Sequence, residues 1–145
     1  MANRIYKFRA WDNKNKKVTN GFDRRYTLYI GFEGDIDEYC SENDGSREMQ
    51  SVEDLELMQF TGLKDKNGKE IYEGDIVKIF NWGRANNKVI GIAEIKWDVD
   101  ELGWRIEPTF DIDTYDLIEK ALYYCEVIGN IYENKELLEA QNDTK

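Results

Sequence analysis

The sequence predicts a mainly β fold with short helices. Three features indicate it: runs rich in β-branched and aromatic residues, a hairpin dipeptide, and one long alternating segment. The dipeptide Asn67-Gly68 is favoured where two consecutive residues take positive φ, as the type I′ turn of a two-residue hairpin requires. Residues 88–97 alternate with period two, which is typical of a strand. One face of that strand would carry Val89, Gly91, Ala93 and Ile95.

The first strands are expected within residues 1–32. The run IYKFRAW at 5–11 is rich in β-forming residues, and the polar residues 12–17 after it predict a turn into a return strand. A second β-rich run, YTLYIGF, occupies residues 26–32. A chain of 145 residues is long enough for one compact unit with its own core, so we expect a single unit over 1–145.

Later strands follow from similar patterns. The turn signal Glu73-Gly74-Asp75 precedes residues 76–80, which have β-branched and aromatic character. Pro108 places the run 104–110 at a sheet edge or a strand end, because proline cannot donate to the hydrogen-bond ladder. Residues 125–132 again resemble a strand.

Two short helices are expected in the C-terminal part. Apolar residues recur at helical spacing over 113–123, with Asp113 or Thr114 placed to cap the first turn. Asn134 is placed to cap a final helix that contains Leu137 and Leu138. The tail at 139–145 is expected to fray.

The net charge of −10 is concentrated in one segment, Glu33–Glu56. There, ten acids stand against the single base Arg47, which gives a local charge of −9. With its glycines and polar residues, 33–56 is expected to be a solvated, loop-like insert. A docking surface for a basic partner is the alternative interpretation. Direct nucleic acid binding is disfavoured, because phosphates would be repelled.

The sequence gives little indication of a catalytic or metal site. The chain has no histidine, which removes the usual general base and a common metal ligand. The string DVDELG at 98–103 begins like a calcium loop, but Leu102 stands where an oxygen ligand is needed, so turn residues are expected there. The two cysteines, Cys40 and Cys125, are expected to be ordinary thiols in a reducing compartment. We predict no enzyme activity, catalytic residue, cofactor or metal; a carboxylate-dependent hydrolase is the alternative.

The aromatic side chains are the remaining candidates for function. We expect most of them to fill the interior of a small barrel, although a groove lined by them would stack on bases or on peptides. Trp82 is the expected exception, because NWGRANN reads as a loop and Arg84 beside it would pair with a carboxylate across an interface. The tryptophans considered are Trp11, Trp82, Trp97 and Trp104.

Three blocks of the sequence carry a family resemblance. They are KFRAWD at 7–12, TGLKDKNGKEIYEGDIVKI at 61–79 and EVIGNIYEN at 126–134. In this order they resemble the YopX-like proteins of bacteriophages and prophages. The resemblance implies a phage or prophage origin, self-association, and an SH3-like small β-barrel core, here at 57–138, behind the N-terminal strands. It implies no catalytic residue.

The leading functional hypothesis is a noncatalytic protein-interaction and self-assembly module. Its expected partners are copies of itself and a host or phage protein. No run of 18 apolar residues exists, and no signal peptide precedes the first strand, so we expect a cytoplasmic location in the host bacterium and no membrane association. Two alternatives stay open: an acidic nucleic-acid mimic that binds a host DNA-binding protein through 33–56, and an SH3-like nucleic-acid-binding barrel.

Overall fold

In the computed structural model, the chain divides into two compact units, residues 6–59 and residues 1–5 with 60–145. The structure describes residues 6–20, 26–30, 36–43, 46–49, 53–80, 88–107 and 124–142. The division falls within the strand Leu55–Lys64, three residues after the predicted start of the barrel core at 57. The single unit over 1–145 and the boundaries at 1–32, 33–56, 57–138 and 139–145 stay predictions.

The unit at 6–59 begins with the expected hairpin. Strand β1 (Phe8–Asp12) pairs antiparallel with β2 (Lys17–Asn20) and, on its other side, with the first half of the Leu55–Lys64 strand. The Asp12 carboxylate accepts hydrogen bonds from the backbone N–H groups of Lys14 and Asn15, at 2.9 and 2.8 Å. Burial opposes ionisation of Asp12, but a hydrogen bond from the Asn15 side-chain amide, the two backbone bonds and nearby Lys17 outweigh it and lower its pKa.

Most of the described residues of the acidic segment lie in strands and not in the predicted loop. Residues Ile36–Asn43 form strand β4 and Ser46–Met49 form β5, and both belong to a three-stranded antiparallel sheet with β3 (Tyr26–Ile30). The prediction of a loop was wrong for these residues, because side-chain charge reports solvation, whereas a strand needs only backbone partners. The neighbouring β-rich run, β3, supplies those partners along β4.

The core of the unit that contains residues 60–145 is a four-stranded antiparallel sheet. Its strands are β8 (Asp75–Phe80), β9 (Val89–Asp98), β10 (Gly103–Glu107) and β11 (Cys125–Asn130). Their order in the sheet is β10-β9-β8-β11. The predicted alternation of β9 is confirmed at Ala93 and Ile95, which are fully buried. The buried cluster on this sheet consists of Ile71, Val77, Ile79, Ala93, Ile95, Ile106, Cys125 and Val127.

The hairpin between β6 (Leu55–Lys64) and β7 (Glu70–Tyr72) differs from the prediction in its turn. Gly68 has a φ of +81°, whereas the positive φ values of the described non-glycine residues fall at Lys16 and Leu102, not at Asn67. The N–H of Gly68 donates to the carbonyl of Asp65, whose own N–H donates to the carbonyl of Lys69. This is a three-residue loop that ends in a left-handed glycine, instead of a type I′ turn.

The expected C-terminal helix is present as α1 (Glu136–Asn142). The N–H of Leu137 donates to the backbone carbonyl of Asn134, while the Asn134 side chain accepts from the N–H of Asn130. Asn134 therefore accepts the hydrogen bond from the first turn of α1 with its backbone carbonyl, and its side chain does not act as the predicted cap. The predicted helix at 113–123 lies outside the described residues.

The fold class is confirmed. The described residues are mainly in antiparallel strands with little helix, and one sheet curls into a half-barrel, as expected for a small β-barrel-like fold. Buried β-branched side chains at Ile71, Ile76, Val77, Ile79 and Ile95 supply much of the hydrophobic driving force.

Candidate interaction surface

The hairpin that joins β9 to β10 has a turn ordered by one carboxylate. Asp98 accepts hydrogen bonds from the backbone N–H groups of Asp100 and Glu101, at 2.9 and 3.1 Å. Its second oxygen accepts from the Arg105 guanidinium at 2.7 Å. These bonds lower the pKa of Asp98 and keep it ionised at neutral pH. Asp98 is thus a turn residue, as predicted, and the tip has a defined conformation.

Apolar side chains project from this ordered turn. Leu102 is 75% exposed, Val99 is 72% exposed, and Trp97 beside them is 39% exposed. Turn positions of this kind usually carry polar residues or glycine. We call Trp97, Val99 and Leu102 the apolar tip.

The apolar tip rests on a fixed aromatic base. Trp97 and Trp104 face each other across the β9–β10 pair and contact edge to face, with ring centroids 5.0 Å apart. Trp104 also packs against the buried cluster of the sheet. Because an edge-to-face contact adds stability beyond the buried area, Trp97 is held in place although it is partly exposed.

Leu102 also has an unfavourable backbone conformation. Its φ is +53°, in the left-handed region that an L-residue with a side chain enters at a cost of about 1–2 kcal/mol. Glycine would remove that cost. The leucine side chain makes little compensating burial within the chain, since most of its surface is exposed. Its presence is therefore poorly explained by the stability of this hairpin alone.

The strands below the tip carry an ordered set of charges. Arg105 bonds Asp98 at 2.7 Å and Glu107 at 2.6 Å, and Lys96 lies 3.6 Å from Glu94 and 3.8 Å from Glu107. Burial raises the pKa of Glu94, the neighbouring carboxylates add to this, and Lys96 opposes it. Residues 94–107 hold five acids and two bases, so this hairpin has a formal charge of −3.

A second exposed apolar group lies where β9 begins. Val89, Ile90 and Tyr124 are exposed there, and Lys88 precedes the strand. The Lys66 ammonium lies 3.7 Å from the centroid of the Phe80 ring and 3.0 Å from a Glu126 carboxylate oxygen. Phe80 pairs with Val89, and its N–H donates to the carbonyl of Tyr124, so these groups lie at one end of the sheet. We call Val89, Ile90, Tyr124, Lys66 and Lys88 the basic end.

Cys125 is a buried thiol, and its surroundings make it structural. Burial and the nearby Asp65 carboxylate raise its pKa to about 12, so almost no thiolate forms at neutral pH. The Asp65 carboxylate itself accepts backbone N–H groups from Asn67, Lys69 and Val127. The Asp65 carboxylate therefore holds β11 and the β6–β7 hairpin together, and the protonated Cys125 thiol is a poor nucleophile at neutral pH.

Several aromatic side chains have the structural role that the sequence predicted. Trp11 is buried and its indole N–H donates to Asn13, and Tyr72 packs against Phe60 with ring centroids 5.4 Å apart. Both confirm the expectation that aromatic side chains fill the interior. Trp82 and Arg84 lie outside the described residues. The sequence reasoning missed Val99 and Leu102, whose signal was two apolar residues inside a turn of acids.

Two features are absent from the described residues. No group of three or more cysteine, aspartate and glutamate side chains in those ranges is arranged to hold a metal ion. None of their helical segments has the length and apolar character that crossing a membrane requires.

Comparison with known proteins places the chain in a family. The family described as YopX protein matches residues 7–139. The crystal structure of protein EF1440 from Enterococcus faecalis is similar, with 29% identity, a TM-score of 0.60, and coverage of 94% of this chain and 99% of that one.

The crystal structure of protein yopX from Bacillus subtilis has the same fold at 21% identity, with a TM-score of 0.55 and coverage of 90% and 95% of the two chains. The comparison with curated proteins gives no match. Because the family match covers the three sequence blocks and nearly the whole chain, this protein belongs to the YopX family.

Proposed function

We propose that the protein is a noncatalytic interaction and self-assembly module, and that the apolar tip is its main contact surface. The proposal places it in the cytoplasm of a bacterium that carries the phage or prophage. The observation that carries it is the exposure of Trp97, Val99 and Leu102 on an ordered hairpin. Adjacent exposed apolar side chains with a rigid aromatic among them are typical of contact sites between proteins.

The backbone of the tip supports a contact role over a purely structural one. Strained conformations persist when the surrounding structure fixes them, and they are enriched at functional sites. The Leu102 backbone has such a conformation, and 75% of the residue's surface is exposed. A partner that covers Leu102 would recover hydrophobic free energy of about 1.5–3 kcal/mol, which offsets the cost of the strain.

The experiment measures molar mass by size-exclusion chromatography with light scattering over a wide range of protein concentration. Val99→Ser with Leu102→Asn removes the apolar contact, and asparagine tolerates positive φ, so the turn is retained. We expect the wild type to associate and this variant to elute at the monomer mass. Tyr6→Ser is the matched control, because Tyr6 is also well exposed, at 67%, but lies in the other unit.

Two results would overturn the proposal. One is a wild-type protein that stays monomeric at about 100 μM, where even weak specific contacts form, and that also binds no phage or host protein. The other is substrate turnover that disappears when a single carboxylate is replaced while the circular dichroism spectrum is unchanged.

A second candidate, the acidic nucleic-acid mimic, is supported by the strands found in the acidic segment. Strands hold charges at regular spacing, whereas a mobile loop does not. In the β4–β5 pair, Glu42 is opposite Arg47 and Glu48 is opposite Ser41, so the acids occupy defined register positions. Replacing Asp37, Glu38 and Glu48 by Asn or Gln would abolish competition with DNA for a basic host protein if mimicry is the function, and would leave self-association unchanged.

The third possibility, nucleic acid binding by the barrel, is disfavoured by the negative charge of the candidate surface. Titration with single-stranded and duplex DNA at low salt tests it. The proposal expects no binding near micromolar concentration. Binding that depends on Trp97 would favour the barrel interpretation instead.

A further inference from the structure

Strand β9 connects two exposed apolar surfaces of opposite charge. The apolar tip is at the C-terminal end of β9, and the basic end is at its start. The strand has ten residues, which correspond to about 30 Å of extended chain. Both surfaces belong to the unit that contains residues 60–145. They are therefore carried by one sheet, and one strand fixes their separation.

The charges of the two surfaces are complementary. The hairpin around the tip, residues 94–107, has a formal charge of −3. Among the described residues around the basic end, Lys66, Lys78 and Lys88 stand against Glu126, which gives +2. Lys66 is held by the Phe80 ring and by Glu126, so its ammonium has a fixed position.

We propose that the apolar tip of one copy docks on the basic end of a second copy, so that chains associate head to tail. The inference rests on the proposed self-assembly and adds the two surfaces that meet. Val99 and Leu102 of one copy contact Val89, Ile90 and Tyr124 of the next. Asp100 and Glu101 then approach Lys88 and Lys66, so apolar burial supplies affinity while the charges fix which surfaces pair.

The charges also disfavour the two symmetric contacts, which are tip to tip and basic end to basic end. A tip docked on the tip of another copy brings −3 against −3, and two basic ends bring +2 against +2. Like charges in a shared interface cost free energy and select against that pairing. A head-to-tail contact leaves one tip and one basic end unused in a dimer, so it continues to a closed ring or to an open filament.

Charge reversal tests the pairing. Asp100→Lys with Glu101→Lys changes the charge of the tip hairpin from −3 to +1, and Lys66→Glu with Lys88→Glu changes that of the basic end from +2 to −2; each change lies on an exposed residue. In sedimentation at low salt, we expect each variant to weaken association at least about tenfold, as the loss of roughly one favourable charge pair predicts. Combining all four substitutions in one chain sets +1 at the tip against −2 at the basic end, so complementarity is restored with its sign reversed and association should return toward the wild-type level.

A second variant does not depend on charge. Leu102→Gly keeps the left-handed backbone but deletes the apolar side chain. We expect it to lose association while its thermal unfolding midpoint, measured on monomer, does not fall. A lower midpoint together with unchanged association would show that Leu102 serves the hairpin and would overturn the inference.

The outcomes separate this inference from the proposed function. Association that is unaffected by Lys66→Glu with Lys88→Glu, or a combined variant that associates no better than either reversal alone, would overturn the head-to-tail contact while self-assembly stands. A wild type that is monomeric under all conditions overturns both. Rescue in the combined variant supports the pairing directly, because tip-to-tip contact predicts no rescue.

Discussion

The Asp65 side chain accepts a hydrogen bond from the backbone N–H of Val127 at 3.0 Å, across 62 positions of sequence. The bond joins the loop of the β6–β7 hairpin to strand β11. Next to it, the N–H of Lys66 donates to the carbonyl of Cys125. These contacts connect the middle sequence block, TGLKDKNGKEIYEGDIVKI, with the C-terminal block, EVIGNIYEN. The two blocks that carried the family resemblance thus meet in space at one buried carboxylate.

Replacing Asp65 by Ala should lower the free energy of unfolding by about 3 kcal/mol, because three backbone N–H groups lose their acceptor at about 1 kcal/mol each. Urea denaturation measures the change. Asp100→Ala is the control, since Asp100 is an exposed acid in another hairpin loop, and it should change stability by less than about 0.5 kcal/mol. A loss below about 1 kcal/mol at Asp65 would contradict the structural role given to this side chain.

Gly129→Ala should destabilise the protein by about 1–3 kcal/mol through overpacking. A Cβ at this position would lie 2.7 Å from Cγ of Asn134, a distance at which one group must move. Adding Asn134→Gly makes room, so the double variant should recover part of the loss. A double-mutant cycle by thermal unfolding measures the coupling, and purely additive effects would exclude the clash as the cause.

Cys125 should resist alkylation in the folded protein. Its pKa is raised from 9.0 to about 12, so at pH 8 the thiolate fraction is about 1000-fold lower than in the unfolded chain. Iodoacetamide labelling of a Cys40→Ser variant isolates the reaction at Cys125. Labelling in denaturant is the control and should be fast; comparable rates in the native state would refute the buried environment.

The same thiol predicts a decrease in stability at high pH. Cys125 ionises above pH 9 in the unfolded chain but only near pH 12 in the folded chain. The stability that the neutral thiol contributes to the folded state is therefore complete below pH 9 and declines between pH 9 and pH 12. A Cys125→Ala variant in the Cys40→Ser background should lack this decline. Denaturation midpoints at pH 8 and pH 10.5 provide the comparison.

Glu94→Gln should stabilise the protein at pH 7 by less than about 1 kcal/mol. Burial raises the pKa of Glu94 above 4.5, so the folded state favours its protonated form. The contribution of protonated Glu94 to stability is present below pH 4.5 and is lost as pH rises through the pKa of the folded state. Glutamine is neutral at every pH and therefore does not show this loss. The difference between variant and wild type should therefore vanish near pH 4, and Glu101→Gln, an exposed acid, should show no such dependence.

Sequence patterns predicted the elements whose signal is local. The alternation in β9, the turn at 12–17 and the helix that contains Leu137 all follow from short-range rules, and the structure confirms them. The type of the Asn67-Gly68 turn was not predictable in this way. The carbonyl of Cys125 and the N–H of Val127 bond the Asp65–Lys66 part of that loop, and they are distant in sequence.

The candidate surface was even less predictable. Val99 and Leu102 are two ordinary apolar residues, and a composition argument cannot tell an exposed leucine from a buried one. Their exposure depends on the Asp98 hydrogen bonds that form the turn and on the Trp97–Trp104 contact below it. The acidic strands were missed for a related reason, because β3, which pairs with β4 and completes their sheet, lies outside the segment whose charge was counted.

The aspartates that order the hairpin turns also bear on the order of folding. Asp12 and Asp98 each bond N–H groups two and three positions further along the chain, so these hairpins need no distant segment. Hairpins of this size form in about 1–10 μs. Strand β11 pairs with β8 from some 50 residues away and therefore requires closure of a long loop. On the ribosome, where β11 emerges late, we expect the nascent chain to hold finished hairpins before the last strand completes the sheet.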